Sequence, residues 1–292
     1  MPDVLIATFF MAVLGGLLSM GLATANRRFY VEEDPRIDVV EEMLPGANCG
    51  ACGQAGCRAF SEAVVQGEAE PVMCTVSPAE DVKSIANYLG MDAGTAVKRV
   101  ARLACAGGTN VAWNRASYGS AQSCRSAALI AGGGKGCSWG CLGLSDCAVV
   151  CDFGAITMDE HGLPVVDEAL CTACGDCVDV CPKGLFSIHP VSHHLWVACK
   201  SLAEGDEALA ECTVACTACA RCAQDASNGA VSMENNLPVV DYSRNNTHSK
   251  DAIQRCPTGA IVWVSKDGAV EKGAAAKPVI RKTSLPIMTM DK

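Results

Sequence analysis

Cysteine dominates the chemistry that this sequence could perform, because 20 of its 292 residues are cysteines. The most specific run is CTACGDCVDVCP at 171–182, in which two, two and three residues separate the cysteines and a proline follows the last one. Four thiolates at this spacing bind [4Fe-4S] clusters. Zinc and disulfides are the alternatives, but the chain has only five histidines, none of them inside a cysteine run, and disulfides do not require such close pairs. The run therefore favours iron–sulfur chemistry.

A second run, CSWGCLGLSDCAVVC at 137–151, comes shortly before the first. Two adjacent runs that end in Cys-Pro are typical of two-cluster ferredoxin-like domains, in which the fourth cysteine of each run binds the cluster of the other run. This crossed pattern predicts one cluster on Cys137, Cys141, Cys147 and Cys181. It predicts the other cluster on Cys151, Cys171, Cys174 and Cys177.

A separate four-cysteine module lies earlier in the chain. Its loop, LPGANCGACGQAGC at 44–57, contains several glycines, which let the backbone turn tightly and bring N–H groups toward sulfur. A zinc knuckle is the alternative reading of this module. The predicted iron–sulfur ligands are Cys49, Cys52, Cys57 and Cys74.

An internal repeat reveals a third module. GAITMDEHGLPVVD at 154–167 matches GAVSMENNLPVVD at 229–241 over nearly its whole length. The alignment places Cys216, Cys219, Cys222 and Cys256 opposite Cys137, Cys141, Cys147 and Cys181. It leaves Ala226, Asn245, His248 and Asp251 opposite the cysteines of the other cluster. We therefore predict one cluster here, on Cys216, Cys219, Cys222 and Cys256, with His248 as an exposed loop residue rather than a ligand.

Four cysteines remain, and they also follow a repeat. VARLACAGG at 100–108 and HLWVACKS at 194–201 each place a cysteine after an apolar run, and each is followed by a second cysteine before the next cysteine run. One hypothesis is a fifth cluster, and the alternative is a set of buried structural thiols. The residues concerned are Cys105, Cys124, Cys199 and Cys212.

The segment before the cysteine modules is uncharged over 22 residues, from Val4 to Ala25. At about 1.5 Å per residue such a helix spans the core of a bilayer. Arg27 and Arg28 follow it, which predicts a single-pass anchor in the cell (cytoplasmic) membrane, with the N-terminus outside and the cluster modules in the cytoplasm. A secretory signal peptide is the alternative, because ATA at 23–25 resembles a cleavage site, but the positively charged leading segment is missing.

The predicted fold class is α+β, with a transmembrane helix, a small iron–sulfur domain and tandem ferredoxin-like modules. Aromatic residues are only 5% of the chain, so large apolar cores are not expected. The predicted domains are the anchor at 1–28, the four-cysteine domain at 36–104, the two-cluster domain at 105–198, the one-cluster domain at 199–268 and a mobile tail at 269–292.

The rest of the composition excludes several functions. The net charge of −9 argues against nucleic acid as a partner, because phosphate binding needs a basic surface. The sequence contains no recognisable nucleophile, phosphate loop or dinucleotide fingerprint, and the glycines of AGGGKG at 131–136 precede a cysteine run instead. Serial clusters without a substrate site predict one-electron transfer, with no catalytic residue and no flavin or NAD on this chain.

The ordered combination of an N-terminal anchor, CGACGQAGC, GCSWGCLGLSDCAVVC and CTACGDCVDVCP resembles the B subunit of the Rnf complex, in its long form with an extra ferredoxin-like module. The resemblance implies a membrane-bound ferredoxin:NAD⁺ oxidoreductase that couples electron flow to Na⁺ or H⁺ translocation. It implies soluble ferredoxin and the other Rnf subunits as partners. The alternative is a cluster-bearing carrier or scaffold of another membrane or corrinoid-type redox assembly, although the chain leaves no room for a cobalamin-binding barrel.

Overall fold

The computed structural model describes residues 2–29, 33–95, 97–116, 123–265 and 267–287. Within these ranges a long N-terminal helix precedes three small modules that mix short helices with short strands. The predicted α+β class is confirmed. Four 3-10 helices connect the longer elements, at Pro71–Met73, Ala131–Gly133, Ser227–Gly229 and Tyr242–Thr247.

Helix α1 spans Pro2–Phe29, and its residues 6–29 are exposed. Its segment Ile6–Phe29 is long and apolar enough to cross a membrane. Apolar side chains surround the helix, so no single face is set aside for a soluble core. Its polar Thr24 is satisfied within the helix, since the hydroxyl donates to the Met20 carbonyl over 2.7 Å. These properties are those of a membrane-spanning helix.

The first cysteine module consists of three helices around a core of its own. They are α2 at Arg36–Met43, α3 at Cys57–Val65 and α4 at Ala79–Leu89. Val40, Phe60 and Ile85 are buried, one from each helix. Acidic residues in the first turn of α4 favour its start, and Gly90 ends it in a left-handed conformation with φ of 67°.

The second module pairs its first strand with its last. Its strands are β1 at Arg99–Leu103, β2 at Ile156–Met158, β3 at Pro164–Val166 and β4 at Phe186–Pro190. Its helices are α5 at Cys124–Leu129, α6 at Asp146–Val149 and α7 at Asp176–Val180. β1 and β4 run antiparallel, with Leu103 opposite Phe186, and β2 and β3 form a separate antiparallel pair.

The third module repeats this arrangement. Its strands are β5 at Leu195–Val197, β6 at Val231–Glu234, β7 at Leu237–Val240, β8 at Ile261–Val264 and β9 at Val270–Glu271. Its helices are α8 at Gly205–Glu211, α9 at Arg221–Asp225 and α10 at Asp251–Gln254. β5 pairs with β8 as β1 pairs with β4, and β6 pairs with β7 as β2 pairs with β3. The internal repeat in the sequence is therefore a repeat of strand pairing.

The pairing shifts the predicted module boundaries. The predicted bounds place β1 in the four-cysteine domain and β5 in the two-cluster domain. However, β1 pairs with β4 of the two-cluster domain, and β5 pairs with β8 of the one-cluster domain. The segment after residue 268 was expected to be a mobile tail without pattern. Instead β9 pairs with β8, and the backbone N–H of Leu285 donates to the Thr109 carbonyl over 2.8 Å. Residues 288–292 of that predicted tail lie outside the described residues.

Candidate functional site

Five cavities in the described part of the chain are each lined by four cysteines. The space around each set of cysteines, counted with the solvent that opens onto it, is between 320 and 340 Å³. Together the five sets of four use all 20 cysteines of the chain. The chain therefore contains five sites with the same four-cysteine composition.

The N-terminal cavity is lined by Cys49, Cys52, Cys57 and Cys74, which are the four cysteines predicted for the first module. Cys57 begins α3, and its backbone N–H donates to Asn48 Oδ1 over 2.8 Å, which fixes the loop against the helix. Gly56 has φ of 129°, and a Cβ there would lie 2.9 Å from the same Asn48 oxygen. The glycine is therefore required for this loop to close.

The outer cavity is lined by Cys151, Cys171, Cys174 and Cys177, the set that the crossed pattern predicts. Cys151 comes from the first run and the other three from the second run. The backbone N–H of Ala101, in β1, donates to Cys171 Sγ over 3.4 Å. The cavity is therefore formed by both cysteine runs and by the strand that precedes them.

The C-terminal cavity is lined by Cys216, Cys219, Cys222 and Cys256, also as predicted. α9 carries the buried Cys222, and Cys256 follows α10. His248 lies outside every cysteine cavity. It is half-buried rather than exposed as predicted, because its Nε2 lies 3.1 Å from the Asp241 carbonyl and its ring meets the edge of Tyr242.

The two remaining cavities exchange two cysteines relative to the prediction. The inner cavity is lined by Cys124, Cys141, Cys147 and Cys181. The junction cavity is lined by Cys105, Cys137, Cys199 and Cys212. The prediction assigned Cys137 to the first of these sets and Cys124 to the second. The structure brings them together the other way round.

Asp146 accounts for the position of Cys124. This aspartate is the first residue of α6, next to Cys147. Its Oδ1 accepts a hydrogen bond from the Cys124 backbone N–H over 2.9 Å, and its Oδ2 accepts one from the Arg125 backbone N–H over 3.2 Å. The start of α5 is therefore held against the start of α6, and Cys124 lies beside Cys147.

The position of Cys137 follows from the loop before it. The backbone N–H of Gly136 donates to the Trp113 carbonyl over 2.8 Å, and Asn114 forms a bridge with Lys135. These contacts hold Cys137 against the segment that follows β1, where Cys105 lies. A spacing in the sequence carries the same information, because Cys137-x3-Cys141-x5-Cys147 is identical to Cys212-x3-Cys216-x5-Cys222. The predicted alignment paired Cys222 with Cys147 as this spacing does, but it placed Cys216 rather than Cys212 opposite Cys137, and Cys219 rather than Cys216 opposite Cys141.

The junction cavity receives one pair of cysteines from each repeat. Cys105 follows β1 and Cys199 follows β5, and each sulfur accepts a hydrogen bond over 3.4 Å from the N–H two residues later. A Cβ on Gly107 would lie 3.1 Å from Cys212 Sγ, a tight contact that glycine avoids. The cavity thus has two equivalent pairs of cysteines, backbone N–H groups that donate to sulfur, and a glycine that leaves space beside Cys212. These features fit a polynuclear metal group bound by thiolates.

Burial holds the thiols of these cavities in their protonated form. Burial raises the pKa of Cys212 and of Cys141 to about 12, and that of Cys199 to about 11, with neighbouring cysteines adding to the shift for Cys212 and Cys141. Lys135 acts in the opposite direction, since its charge lowers the pKa of Cys137 and Cys141. Because the thiolate is the metal ligand, metal binding must release these protons.

Four thiolates can hold either a zinc ion or an iron–sulfur cluster. No three His, Cys, Asp or Glu side chains among the described residues are placed to hold a single metal ion. Four thiols around an open space suit a cluster, whose several irons are each bound by one cysteine. The donor set therefore fits [4Fe-4S] clusters.

Two family models match parts of the chain. A model of an Fe-S cluster domain matches residues 44–76, and a model of a 4Fe-4S dicluster domain matches residues 136–185. The first range contains the N-terminal cavity's cysteines, and the second contains both long cysteine runs. The N-terminal apolar helix, Cys105, Cys124 and the third module lie outside both ranges.

Three relatives match most of the chain. It is 38% identical over 277 residues to the B subunit of the Na⁺-translocating ferredoxin:NAD⁺ oxidoreductase complex of Acetobacterium woodii, covering 95% of this chain and 81% of the relative. It is 38% identical to the B subunit of the proton-translocating complex of Clostridium ljungdahlii, covering 89% and 93%. It is 36% identical to the B subunit of the ion-translocating oxidoreductase complex of Methanosarcina acetivorans, covering 86% and 96%.

Proposed function

The chain belongs to the family of B subunits of ion-translocating ferredoxin:NAD⁺ oxidoreductase (Rnf) complexes, and we propose that it carries electrons from reduced ferredoxin to the other subunits of such a complex. It is an electron-transfer subunit of an oxidoreductase, and its 4Fe-4S domains supply the carriers. The observation that supports the relay most strongly is the division of all 20 cysteines among five cavities, each lined by four of them.

We propose five [4Fe-4S] clusters, one in each cavity, with the four lining cysteines as ligands. A bound cluster supplies a reversible one-electron carrier whose potential depends on hydrogen bonds to sulfur, nearby charge and exposure. The chain's own groups determine these factors. Backbone N–H groups of Ala101, Gly107 and Ser201 donate to cysteine sulfur and stabilise negative charge there.

The residues of this chain hold and insulate the carriers rather than act on a substrate. Thirteen cysteines are half-buried, six are buried and Cys219 is exposed, so the protein shields most of the sulfurs from water. We propose that NAD and flavin are held by the partner proteins of the complex, and that soluble ferredoxin docks on one of the modules of this chain. The coupling ion is then moved by the partners, while this chain delivers the electrons.

Helix α1 associates the relay with a membrane. We propose that it is a retained anchor in the cytoplasmic membrane, with Arg27 and Arg28 on the cytoplasmic side. The three modules then lie in the cytoplasm, where thiols stay reduced and soluble ferredoxin is available. This topology places the clusters on the same side of the membrane as their electron donor.

Metal and sulfide analysis of anaerobically purified protein tests the cluster assignment. Five [4Fe-4S] clusters predict about 20 irons and about 20 acid-labile sulfides per chain, with a brown colour that dithionite bleaches. Colourless protein that contains zinc and no sulfide would overturn the proposal. About 16 irons would overturn the fifth cluster and retain the other four.

A further inference from the structure

The junction cavity lies between two modules that are otherwise equivalent. Cys105 and Cys137 come from the second module, and Cys199 and Cys212 come from the third. The modules are packed together here, because Ala112 bridges to Cys212 and the Thr213 N–H donates to the Val111 carbonyl over 2.9 Å. A buried cluster that includes Val111, Ala112, Ala208 and Cys212 surrounds this contact. The cavity is therefore a fixed part of the interface.

Two hydrogen bonds connect the junction cavity to its neighbours on both sides. The backbone N–H of Cys141, which lines the inner cavity, donates to Cys105 Sγ over 3.4 Å. The backbone N–H of Cys216, which lines the C-terminal cavity, donates to Cys199 Sγ over 3.3 Å. The two bonds occupy equivalent positions in the two repeats. Two sulfurs of the junction set, those of Cys105 and Cys199, therefore each accept a hydrogen bond from the backbone of a cysteine in an adjoining set.

The inner and outer cavities are connected within the second module. α6 carries Cys147 of the inner set and is followed directly by Cys151 of the outer set. Cys147 and Cys177 pack in one buried cluster, with Cys181 against it. In contrast, the N-terminal cavity adjoins a separate core formed by α2, α3 and α4. Four of the five cavities therefore form one contiguous series.

We propose that the junction cavity is the bridge through which electrons pass between the two ferredoxin-like modules, in the order outer, inner, junction and C-terminal cavity. This inference rests on the proposed function, since it assigns an order to the same clusters. In each step one electron leaves one site, which is oxidised, and enters the next, which is reduced. No bond breaks, and no proton or ligand is exchanged.

Lys135 is the positioning residue of this bridge. Its ammonium group lines the junction cavity and donates to the Cys141 carbonyl over 2.7 Å and to the Gly107 carbonyl. Lys200 lines the same cavity. Positive charge beside a site stabilises the additional electron that the site accepts. Lys135 therefore raises the reduction potential of the junction site and fixes its distance from the inner set.

Electron paramagnetic resonance of the dithionite-reduced full-length protein tests the bridge. Neighbouring reduced clusters are paramagnetic and broaden each other's signals. The double variant Cys199→Ala/Cys212→Ala should lower the iron content from about 20 to about 16 per chain. It should also leave the C-terminal site as an isolated spin with a narrowed signal. The matched control Cys49→Ala/Cys52→Ala should lose the same amount of iron and leave that signal broad.

Each outcome separates the bridge from the proposed function. Wild-type protein without about 20 irons would contradict the cluster assignment itself. Suppose that the wild type contains about 20 irons per chain but that Cys199→Ala/Cys212→Ala leaves the resonance of the C-terminal site broad. That result would overturn only the bridge. Lys135→Gln is a second variant, which should keep the full iron content and lower the midpoint potential of one cluster. An unchanged set of potentials in Lys135→Gln would contradict the positioning role, whether or not the cysteine variant folds.

Discussion

Tyr242 stacks on His193, with their ring centroids 4.0 Å apart and their planes at 4°. The tyrosine hydroxyl donates to the Leu195 carbonyl over 2.9 Å. Leu195 aligns with Ala101 in the repeat, and in the second module Ala101 faces the outer cavity. In the third module Leu195 and Ile253 are fully buried in an apolar cluster instead. Larger side chains have therefore replaced the second cluster site of this module.

Removal of this ring should destabilise the third module. Tyr242→Ala deletes a stacked aromatic side chain and its hydrogen bond, which costs about 2 kcal/mol of unfolding free energy. We expect the thermal unfolding midpoint to fall by several degrees, with the iron content retained at low temperature. Tyr88→Ala is the control, because Tyr88 is 45% exposed and its removal should change the midpoint little. Equal midpoints for the two variants would refute this role of Tyr242.

The histidine cluster beside Tyr242 predicts an acid-sensitive interface. Burial, followed by the charges of His193 and Arg102, lowers the pKa of His189 from its usual 6.5 to about 4. Between these values the unfolded chain binds a proton that the folded chain does not bind, so stability falls as the pH falls from about 6.5 toward 4. We expect the thermal midpoint of wild type to drop more between pH 7 and pH 5 than that of His189→Gln. Parallel pH profiles for the two proteins would show that His189 does not contribute.

The exchange of Cys124 and Cys137 can be measured by counting clusters. If Cys137 and Cys141 serve different clusters, Cys137→Ala/Cys141→Ala should lose about eight irons per chain. Cys124→Ala/Cys141→Ala, which affects one cluster, should then lose only about four. The partition expected from the dicluster pattern predicts the reverse. A loss of about four irons in Cys137→Ala/Cys141→Ala and of about eight in Cys124→Ala/Cys141→Ala would support the assignment predicted from the sequence instead.

Much of the site could be predicted from the sequence, because ligand spacing within one loop is a local property. The predicted sets that contain Cys57, Cys177 and Cys222 each match the lining of one cavity. Each set consists of three cysteines from one run and one cysteine from outside that run's first three. The junction set could not be predicted from local spacing, since its four cysteines come from four separate segments. The hydrogen bonds of Asp146 to the start of α5, which move Cys124 to the inner cavity, are likewise tertiary contacts.

The fold shows the same division between local and distant information. The apolar run of α1 and the repeat of GAITM and GAVSM were sufficient to predict the long N-terminal apolar helix and the tandem modules. The pairing of β1 and β5 with strands far along the chain crosses the predicted boundaries, because strand pairing is not visible in a short segment. The C-terminal segment was misjudged for that reason as well, as β9 is stabilised only by its contact with β8.

The anchor and its orientation can be tested with a reporter. A fluorescent protein that folds only in the cytoplasm, fused after residue 292, should be bright and should sediment with membranes. Removal of residues 1–29 should release the fusion into the supernatant with its fluorescence intact, because α1 supplies the exposed apolar surface. Membrane-bound but dark fusion protein would reverse the orientation. Unchanged sedimentation of the shortened chain would exclude α1 as the main anchor.

The central claim is that this chain accepts electrons from ferredoxin. The most direct measurement is anaerobic stopped-flow mixing of the oxidised, cluster-loaded protein with reduced ferredoxin, monitored by visible absorbance. We expect the absorbance of the chain's clusters to bleach while ferredoxin is oxidised, with several electrons accepted per chain. Clusters that stay oxidised after mixing, but are bleached by dithionite, would contradict a role as the entry point for electrons from ferredoxin.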